Sequence, residues 1–372
     1  MDLESVMVHT VTWTAQHCQN PKNGDRMAQP LPQEDLDYIL ERTPDLWEEM
    51  RGQRLFLTGG TGFFGAWLLE SLLAANRASS LDVKVTVLTR NPEAFCRARP
   101  HVAADPALTL LAGDVREFAF PAGEFHYVIH AATETWARPE SGGPVDLLGV
   151  ILGGTERVLR FAATHGTQKF LFTSSGAVYG PQPAGISHLR EDYPGAPDPL
   201  APNSAYGEGK RAAEALCAAY AQQWGLTCKI ARCFAFVGPL LPLDQHFAIG
   251  NFIRDALGGG PIRVQGDGTA RRSYMYASDL ARWLWTILLS APSGQAFNVG
   301  SAQSVSIEEL ANKVRSALGV TTDVRIARQA LAGSPVHQYV PCVQKAEQQL
   351  GLRCEVSLDE AIRKTARSYG WG

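Results

Sequence analysis

The chain lacks most of the features that would give it a quick assignment. Its seven cysteines, Cys18, Cys96, Cys217, Cys228, Cys233, Cys342 and Cys354, are odd in number and scattered, and no two form a CxxC pair. That spacing indicates neither a zinc ribbon nor a disulfide framework, so most are expected to be buried thiols acting as small hydrophobes. A surplus of one charge is missing too: 34 basic against 37 acidic residues leave a formal net charge of −3. Without a basic surplus there is no broad electrostatic footprint for a polynucleotide, and no nucleic-acid partner is expected. A few arginines can still build a local phosphate site. Long apolar runs are also absent, the stretch around residues 284–289 being far shorter than a membrane span. The first ten residues, MDLESVMVHT, are acidic rather than basic-then-apolar. No membrane partner is expected, and a cytoplasmic enzyme is the default.

What is present is ordinary globular material: 372 residues, 45% hydrophobic and 19% charged, enough for one large core or two domains. Residues 1–32 are polar and aperiodic and read as a loosely held extension. Leu36, Ile39 and Leu40 fall at helical spacing, and Pro44 opens what reads as a second short helix, PDLWEEMRG. Residues 1–52 are therefore expected to form a flap packed on the catalytic part, with a dimer contact or substrate lid as the alternative. From Arg54 the texture changes. Apolar runs at 54–59, 83–90, 108–114, 127–132, 169–175 and 227–234 read as strands, and helical patterns fall between them at 66–75, 145–165 and 204–223. Strands alternating with helices imply an α/β, Rossmann-type doubly wound parallel sheet over 53–237. Residues 238–372 read as a smaller mixed α/β substrate domain, with helices at 247–257, 279–289, 307–318 and 358–369. Residues 296–300 are expected to return to the sheet. Asp279 most simply caps the helix that it opens.

Between the first strand and the first long helix stands Thr58-Gly59-Gly60-Thr61-Gly62-Phe63-Phe64-Gly65. Gly59 permits the tight turn, Gly62 lets backbone approach a pyrophosphate, and Gly65 lets helix and strand pack closely. Free N–H groups at the helix start face the anion. A glycine triplet in this strand–turn–helix setting is a dinucleotide signature, and Phe63 and Phe64 within it belong to the expected cofactor site. The second strand ends in Thr89-Arg90-Asn91 with no carboxylate for a ribose 2′-hydroxyl. Arg90 therefore favours NADP(H), with NAD(H) possible. After the third strand, Asp114 meets the adenine edge or caps a turn, with Val115 beside it.

Tyr206 and Lys210 occur in SAYGEGK at the head of an alanine-rich helical segment. Spacing i, i+4 places them on one helix face. An ammonium alongside, with the positive nicotinamide ring, would stabilise phenolate and make the phenol a usable base. Ser174 and Ser175 close the strand KFLFTSS, where a hydroxyl could hold a reacting oxygen.

These motifs, in this order, resemble the extended short-chain dehydrogenases, also called the NAD-dependent epimerase/dehydratase family. The resemblance runs from about residue 54 to residue 369. It implies Tyr206 as acid–base, Lys210 as its electrostatic partner and ribose ligand, and Ser175 as hydroxyl anchor. His130-Ala131-Ala132 is similar to the family's HAA stretch beside the cofactor, and residues 174–180 to its SSxxVYG stretch. GDGTARRSYMY is similar to the segment with which sugar-nucleotide members approach the substrate diphosphate, here through Arg272. Ser174, Ser175 and Asn251 are further expected substrate contacts.

The sequence also departs from the family pattern. Ala235 and Ile151 stand where many relatives carry asparagine. Gly176-Ala177 replaces the Asp-Glu pair with which the dehydratase branch eliminates water. The resemblance implies hydride transfer at a sugar carbon, C4, of a sugar nucleotide. An NADPH-dependent 4-ketoreductase of a deoxyhexose nucleotide is favoured over a 4-epimerase with tightly held cofactor. A 4,6-dehydratase, a reductase of a non-sugar ketone and a non-catalytic NADP sensor rank below these. A homodimer through the helices at 145–165 and 204–223 is expected.

Overall fold

A computed structural model describes residues 12–14, 28–133, 142–245, 247–331, 333 and 335–372. Most of the segment 1–32 lies outside the described residues. Eight strands form the main sheet: β1 (Thr12–Trp13), β2 (Arg54–Thr58), β3 (Lys84–Thr89), β4 (Leu108–Ala112), β5 (Tyr127–His130), β6 (Lys169–Ser175), β7 (Cys228–Cys233) and β8 (Gln295–Val299). Their order is β1-β4-β3-β2-β5-β6-β7-β8. Every pair from β4 to β8 is parallel, and β1 alone runs antiparallel, against β4. Strands such as RLFLT and KVTVLT are apolar along nearly their whole length because helices cover both faces.

The helices that make those covers are α1 (Gln33–Glu41), α2 (Phe63–Ser79), α3 (Gly143–Thr164), α4 (Ala205–Trp224) and α5 (Ala277–Ser290). On one face α2 and α5 bury Trp67, Leu68, Leu72, Trp283 and Trp285 against the sheet. On the other, Val158 and Phe161 of α3 and Ala213 and Cys217 of α4 cover Phe56, Val128 and Phe170. The chain runs outward from β2 through β3 to β4 and then returns to β5 on the other side of β2. This reversal opens a crevice at the carboxyl ends of β2 and β5, where such sheets bind ligands.

β8 pairs in parallel with β7 at the edge of the main sheet. The remaining strands, among the described residues, form one three-stranded sheet and two two-stranded sheets. Arg271–Arg272 lies between Val305–Ser306 and Gln338–Tyr339. Phe236–Val237 pairs with Met275–Tyr276. The helix Ile307–Ala317 starts on a capping box made by Ser306 and Glu309.

Several expectations are corrected. The second N-terminal helix is absent, and residues 44–52 form turns with one 3-10 turn at Glu48–Met50. The indole of Trp47 is drawn against Trp285, with ring centres 5.2 Å apart, and this tertiary contact outweighs local helix preference. Asp279 caps nothing. It lies inside α5, fully buried, and accepts from Tyr38 Oη at 2.6 Å and from the backbone N–H groups of Glu355 and Val356. Helix Gln344–Leu350 was not foreseen, because QKAEQQL buries only Ala346 and carries no apolar stripe.

Two buried acids pin α1 in place. Asp35 accepts from Lys364 Nζ at 2.7 Å and from Tyr276 Oη at 2.7 Å, and Asp279 holds Tyr38. The described part of the extension is thus a packed flap. Cys217, Cys228 and Cys233 are buried free thiols, whereas Cys96 is disulfide-bonded. Among the described residues no helix is long and apolar enough to cross a membrane.

Candidate functional site

The crevice at the switch point is shaped by backbone. Gly59 takes φ +75°, and a Cβ there would overlap the carbonyl of Ala131 on the neighbouring strand end. A Cβ at Gly65 would overlap the carbonyl of Gly59. Only glycine lets turn, helix and strand approach this closely. Gly62 precedes α2 without any side-chain cap, which leaves the first N–H groups of a 17-residue helix for an anion.

The HAA stretch is held to the turn by one hydroxyl. Thr58 Oγ1 accepts from the N–H groups of Ala131 and Ala132, each at 3.2 Å, and contacts His130 Nδ1 at 2.7 Å. The other ring nitrogen of His130 meets Thr155 Oγ1 at 3.1 Å. Burial and the nearby Lys210 hold the imidazole down to about 3, so it bridges two hydroxyls as a neutral ring and carries no charge into the site.

Gly59, Gly62, Arg90, Asp114, Val115, Ala131 and Ala132 line one groove of about 340 Å³. Arg90 is exposed at its rim. Asp114 is gripped by Arg116, which donates from Nε at 2.8 Å and from Nη2 at 3.1 Å and reaches Asp146 at 2.7 Å. These bonds hold the Asp114 carboxyl below its ordinary range. Phe63 and Phe64 do not line the groove. Their rings pack against the core, Phe64 edge-on to Phe236 at 5.1 Å, so only their backbone belongs to the turn.

Next to the groove the first turns of α4 present Tyr206 and Lys210. Lys210 is buried, and its Nζ donates to Thr173 O at 2.7 Å and to Thr133 Oγ1 at 3.0 Å. Thr133 also lines the groove, so the lysine links the two halves of the site. Burial lowers Lys210 to about 8. Burial dominates the Tyr206 phenol and pushes it up to about 12, while Ser175 favours the phenolate. Lys210 Nζ lies 6.0 Å from the Tyr206 ring centre. The sequence points to the ammonium; burial is instead the largest influence on the phenol, and Ser175 opposes it.

Ser175 caps the short turn after β6 by accepting from Ala177 N at 3.1 Å, and its Oγ lies 3.5 Å from Tyr339 Oη. Tyr339 arrives from the C-terminal part, its ring 4.6 Å from that of Phe234. Arg272 reaches the same neighbourhood. It donates to the carbonyls of Arg271 and His337; burial raises the Tyr274 and Tyr339 phenols above their ordinary range, and the Arg272 charge only partly opposes this.

Two expected substrate residues are not brought in. Ser174 turns its hydroxyl to Glu214 at 2.5 Å, and Glu214 is paired with Arg232 at 2.7 Å. Asn251 accepts from Arg254 on its own helix and joins the Ser175 cluster by no hydrogen bond among the described residues. Sequence reasoning missed Thr133, Arg116 and Tyr339. The first two sit one and two residues beyond motif residues already singled out, while nothing local marks Tyr339.

A family model described as the NAD dependent epimerase/dehydratase family matches residues 55–300. UDP-glucuronic acid decarboxylase 6 of Arabidopsis thaliana is 30% identical over 343 residues, covering 92% of this chain and 94% of the relative. UDP-glucuronic acid decarboxylase 1 of Xenopus tropicalis is 29% identical over 318 residues, covering 85% and 72%. Among solved structures, DesIV, a dTDP-glucose 4,6-dehydratase from Streptomyces venezuelae with NAD and TYD bound, superposes with a TM-score of 0.72 at 26% identity, covering 85% of this chain and 97% of the other. MoeE5 in complex with UDP-glucuronic acid and NAD superposes with a TM-score of 0.69 at 26% identity, covering 85% and 98%.

Proposed function

We propose a function from a premise the comparisons establish: the chain belongs to the NAD dependent epimerase/dehydratase family. On that premise the protein is an enzyme acting on a sugar nucleotide. Tyr206 takes the proton from a ring hydroxyl, at C4, as hydride leaves the same carbon. The observation that carries this reading is the convergence of Ser175, Tyr206 and Lys210 beside the glycine-turn groove, joined to it through Thr133.

When bound, the nicotinamide supplies a hydride acceptor and a positive charge. The chain's own groups do the rest. The N-terminus of α2 holds the pyrophosphate. Ser175 orients the reacting oxygen, Lys210 keeps a cation near the phenol and the ribose, and Arg272 meets the substrate diphosphate.

The best-supported substrate is of the UDP-glucuronate type, with the hydride taken from C4 given back to that carbon at the end of the cycle. Oxidation at C4 places a carbonyl β to the C6 carboxylate. Carbon dioxide then leaves with the bonding pair taken up by that carbonyl, and C5 regains a proton. This path needs no Asp-Glu pair and therefore suits Gly176-Ala177. The 29–30% identical relatives are decarboxylases of this substrate, and a neighbour at 26% identity holds it with NAD. NAD is accordingly the proposed cofactor. A second reading, an NADPH-dependent 4-ketoreductase, is favoured by one observation: Arg90 stands exposed on the groove with no carboxylate at the end of β3. A second copy packed on α3 and α4, whose ends expose Val145 and Trp224, belongs to the proposal. Sedimentation at monomer mass would remove it.

The test is product analysis by mass spectrometry. With UDP-glucuronate and NAD the expected products are carbon dioxide and a UDP-pentose, with no net NADH. Consumption of NADPH with a 4-keto nucleotide sugar would replace this reading by the second, and interconversion of UDP-glucose and UDP-galactose would replace it by a 4-epimerase. Tyr206→Phe should abolish turnover, about 10²–10⁴-fold, while NAD still binds. Failure to bind any nicotinamide nucleotide would defeat every version.

A further inference from the structure

We infer that Tyr339 is a positioning residue: its phenol donates to Ser175 and thereby turns the serine's own hydroxyl hydrogen toward the oxygen of Tyr206. The inference rests on the acid–base reading of Tyr206 given above. It follows from a proton inventory. A serine hydroxyl has one hydrogen and two acceptor positions. Ser175 Oγ already accepts from the N–H of Ala177 at 3.1 Å. Tyr339 Oη lies 3.5 Å away, and among the described residues Ser175 is its one hydrogen-bond partner. With no other acceptor among the described residues in reach of its hydrogen, the Tyr339 phenol donates to Ser175. With both acceptor positions filled, Ser175 can only donate, and Tyr206 is the neighbouring phenol whose ionised form it favours.

A second observation concerns the place where the acid pair is missing. A Cβ at Gly176 would lie 2.7 Å from Tyr339 Oη and 2.7 Å from Phe234 Cζ. Any side chain there would collide with the phenol, so the glycine makes room for it. The departure from the dehydratase pattern and the arrival of Tyr339 are one feature. A phenol from the C-terminal part occupies the space into which the first carboxylate of that pair would grow. The docking of that part on the sheet then sets the direction of a hydrogen bond beside the reacting oxygen.

The test titrates the NAD-loaded enzyme and follows tyrosinate by its near-ultraviolet absorbance. Subtracting the Tyr206→Phe curve isolates the ionisation of Tyr206. Tyr339→Phe, which keeps the ring against Phe234, is expected to raise that step by roughly half to one pH unit. In a Ser175→Ala background the same change should add nothing, because the effect passes through the serine. Gly176→Ala, which pushes the phenol aside without touching it chemically, should reproduce the shift and stands in should Tyr339→Phe fold poorly. An unmoved step in Tyr339→Phe, or a shift that persists with Ser175→Ala, overturns the inference and leaves the acid–base reading standing. If wild type and Tyr206→Phe titrate alike, the acid–base reading itself falls, and the positioning role falls with it.

Discussion

The cofactor groove and the hydroxyl cluster are neighbours built in opposite ways. The groove consists of missing side chains: Gly59 and Gly65 bring backbone within touching distance of backbone, within one short stretch of sequence. The cluster consists of polar side chains carried in from β6, from α4, from the loop after β5 and from the C-terminal pair that holds Tyr339. The first is local and rigid. The second exists only when remote parts of the chain have docked, and its chemistry is governed by the water they displace.

The sharpest way to break this contrast is to add bulk to the groove. Gly65→Ala would drive a methyl into the Gly59 carbonyl, which cannot move without parting α2 from β2. Binding of NAD, measured by calorimetry, should weaken roughly 100-fold, about 2.7 kcal/mol. An unchanged Kd would show that the turn does not depend on backbone contact.

In the cluster a similar deletion should act on chemistry rather than binding, and only at the right serine. Ser175→Ala is expected to lower turnover of UDP-glucuronate about 10-fold to 100-fold with NAD affinity retained. Ser174→Ala removes a donor from the half-buried Glu214 and should cost about 1–3 kcal/mol in denaturant melts while turnover survives. Equal loss of turnover in both variants would erase the distinction between the two hydroxyls.

The smallest effect is a slope. Burial holds Lys210 at about 8 against an ordinary 10.5. Below pH 8 the lysine is protonated whether the chain is folded or not, and the fold bears the full cost of a buried charge. Between pH 8 and pH 10.5 the unfolded chain binds the extra proton, so this group's contribution to stability rises with pH across that window. Lys210→Met should flatten the rise in a plot of melting temperature against pH. Lys229, also lowered to about 8 by burial, should keep part of the slope. An unaltered curve would mean that the site is wetter than the described packing implies.

The same contrast explains what could be read from the sequence. β2, the glycine turn and α2 were legible because strand, breaker and apolar helix follow one another and their physics is local. Trp47 misled, since a helical pattern around it gives no sign that Trp285 will claim the indole. Asp279 misled likewise: at the head of a helix it looks like a cap, yet its partners come from Tyr38 and residues 355–356. For Tyr206 the sequence displays the lysine one turn away but not the burial that dominates the phenol. Tyr339 carries no local mark at all, because its position depends on pairing with Arg271–Arg272 far back along the chain.

The two-residue strand β1 has a practical bearing beyond its length. Thr12 and Trp13 lie along the outer side of β4, opposite Leu111 and Leu110, where a parallel sheet would otherwise end in a row of unmet amides. A version trimmed to begin at Arg54 would bare that margin to every other copy in the tube. It would also strip Asp35 from Lys364. Precipitation of such a trimmed protein would report an unguarded border and leave the catalytic question where it stood.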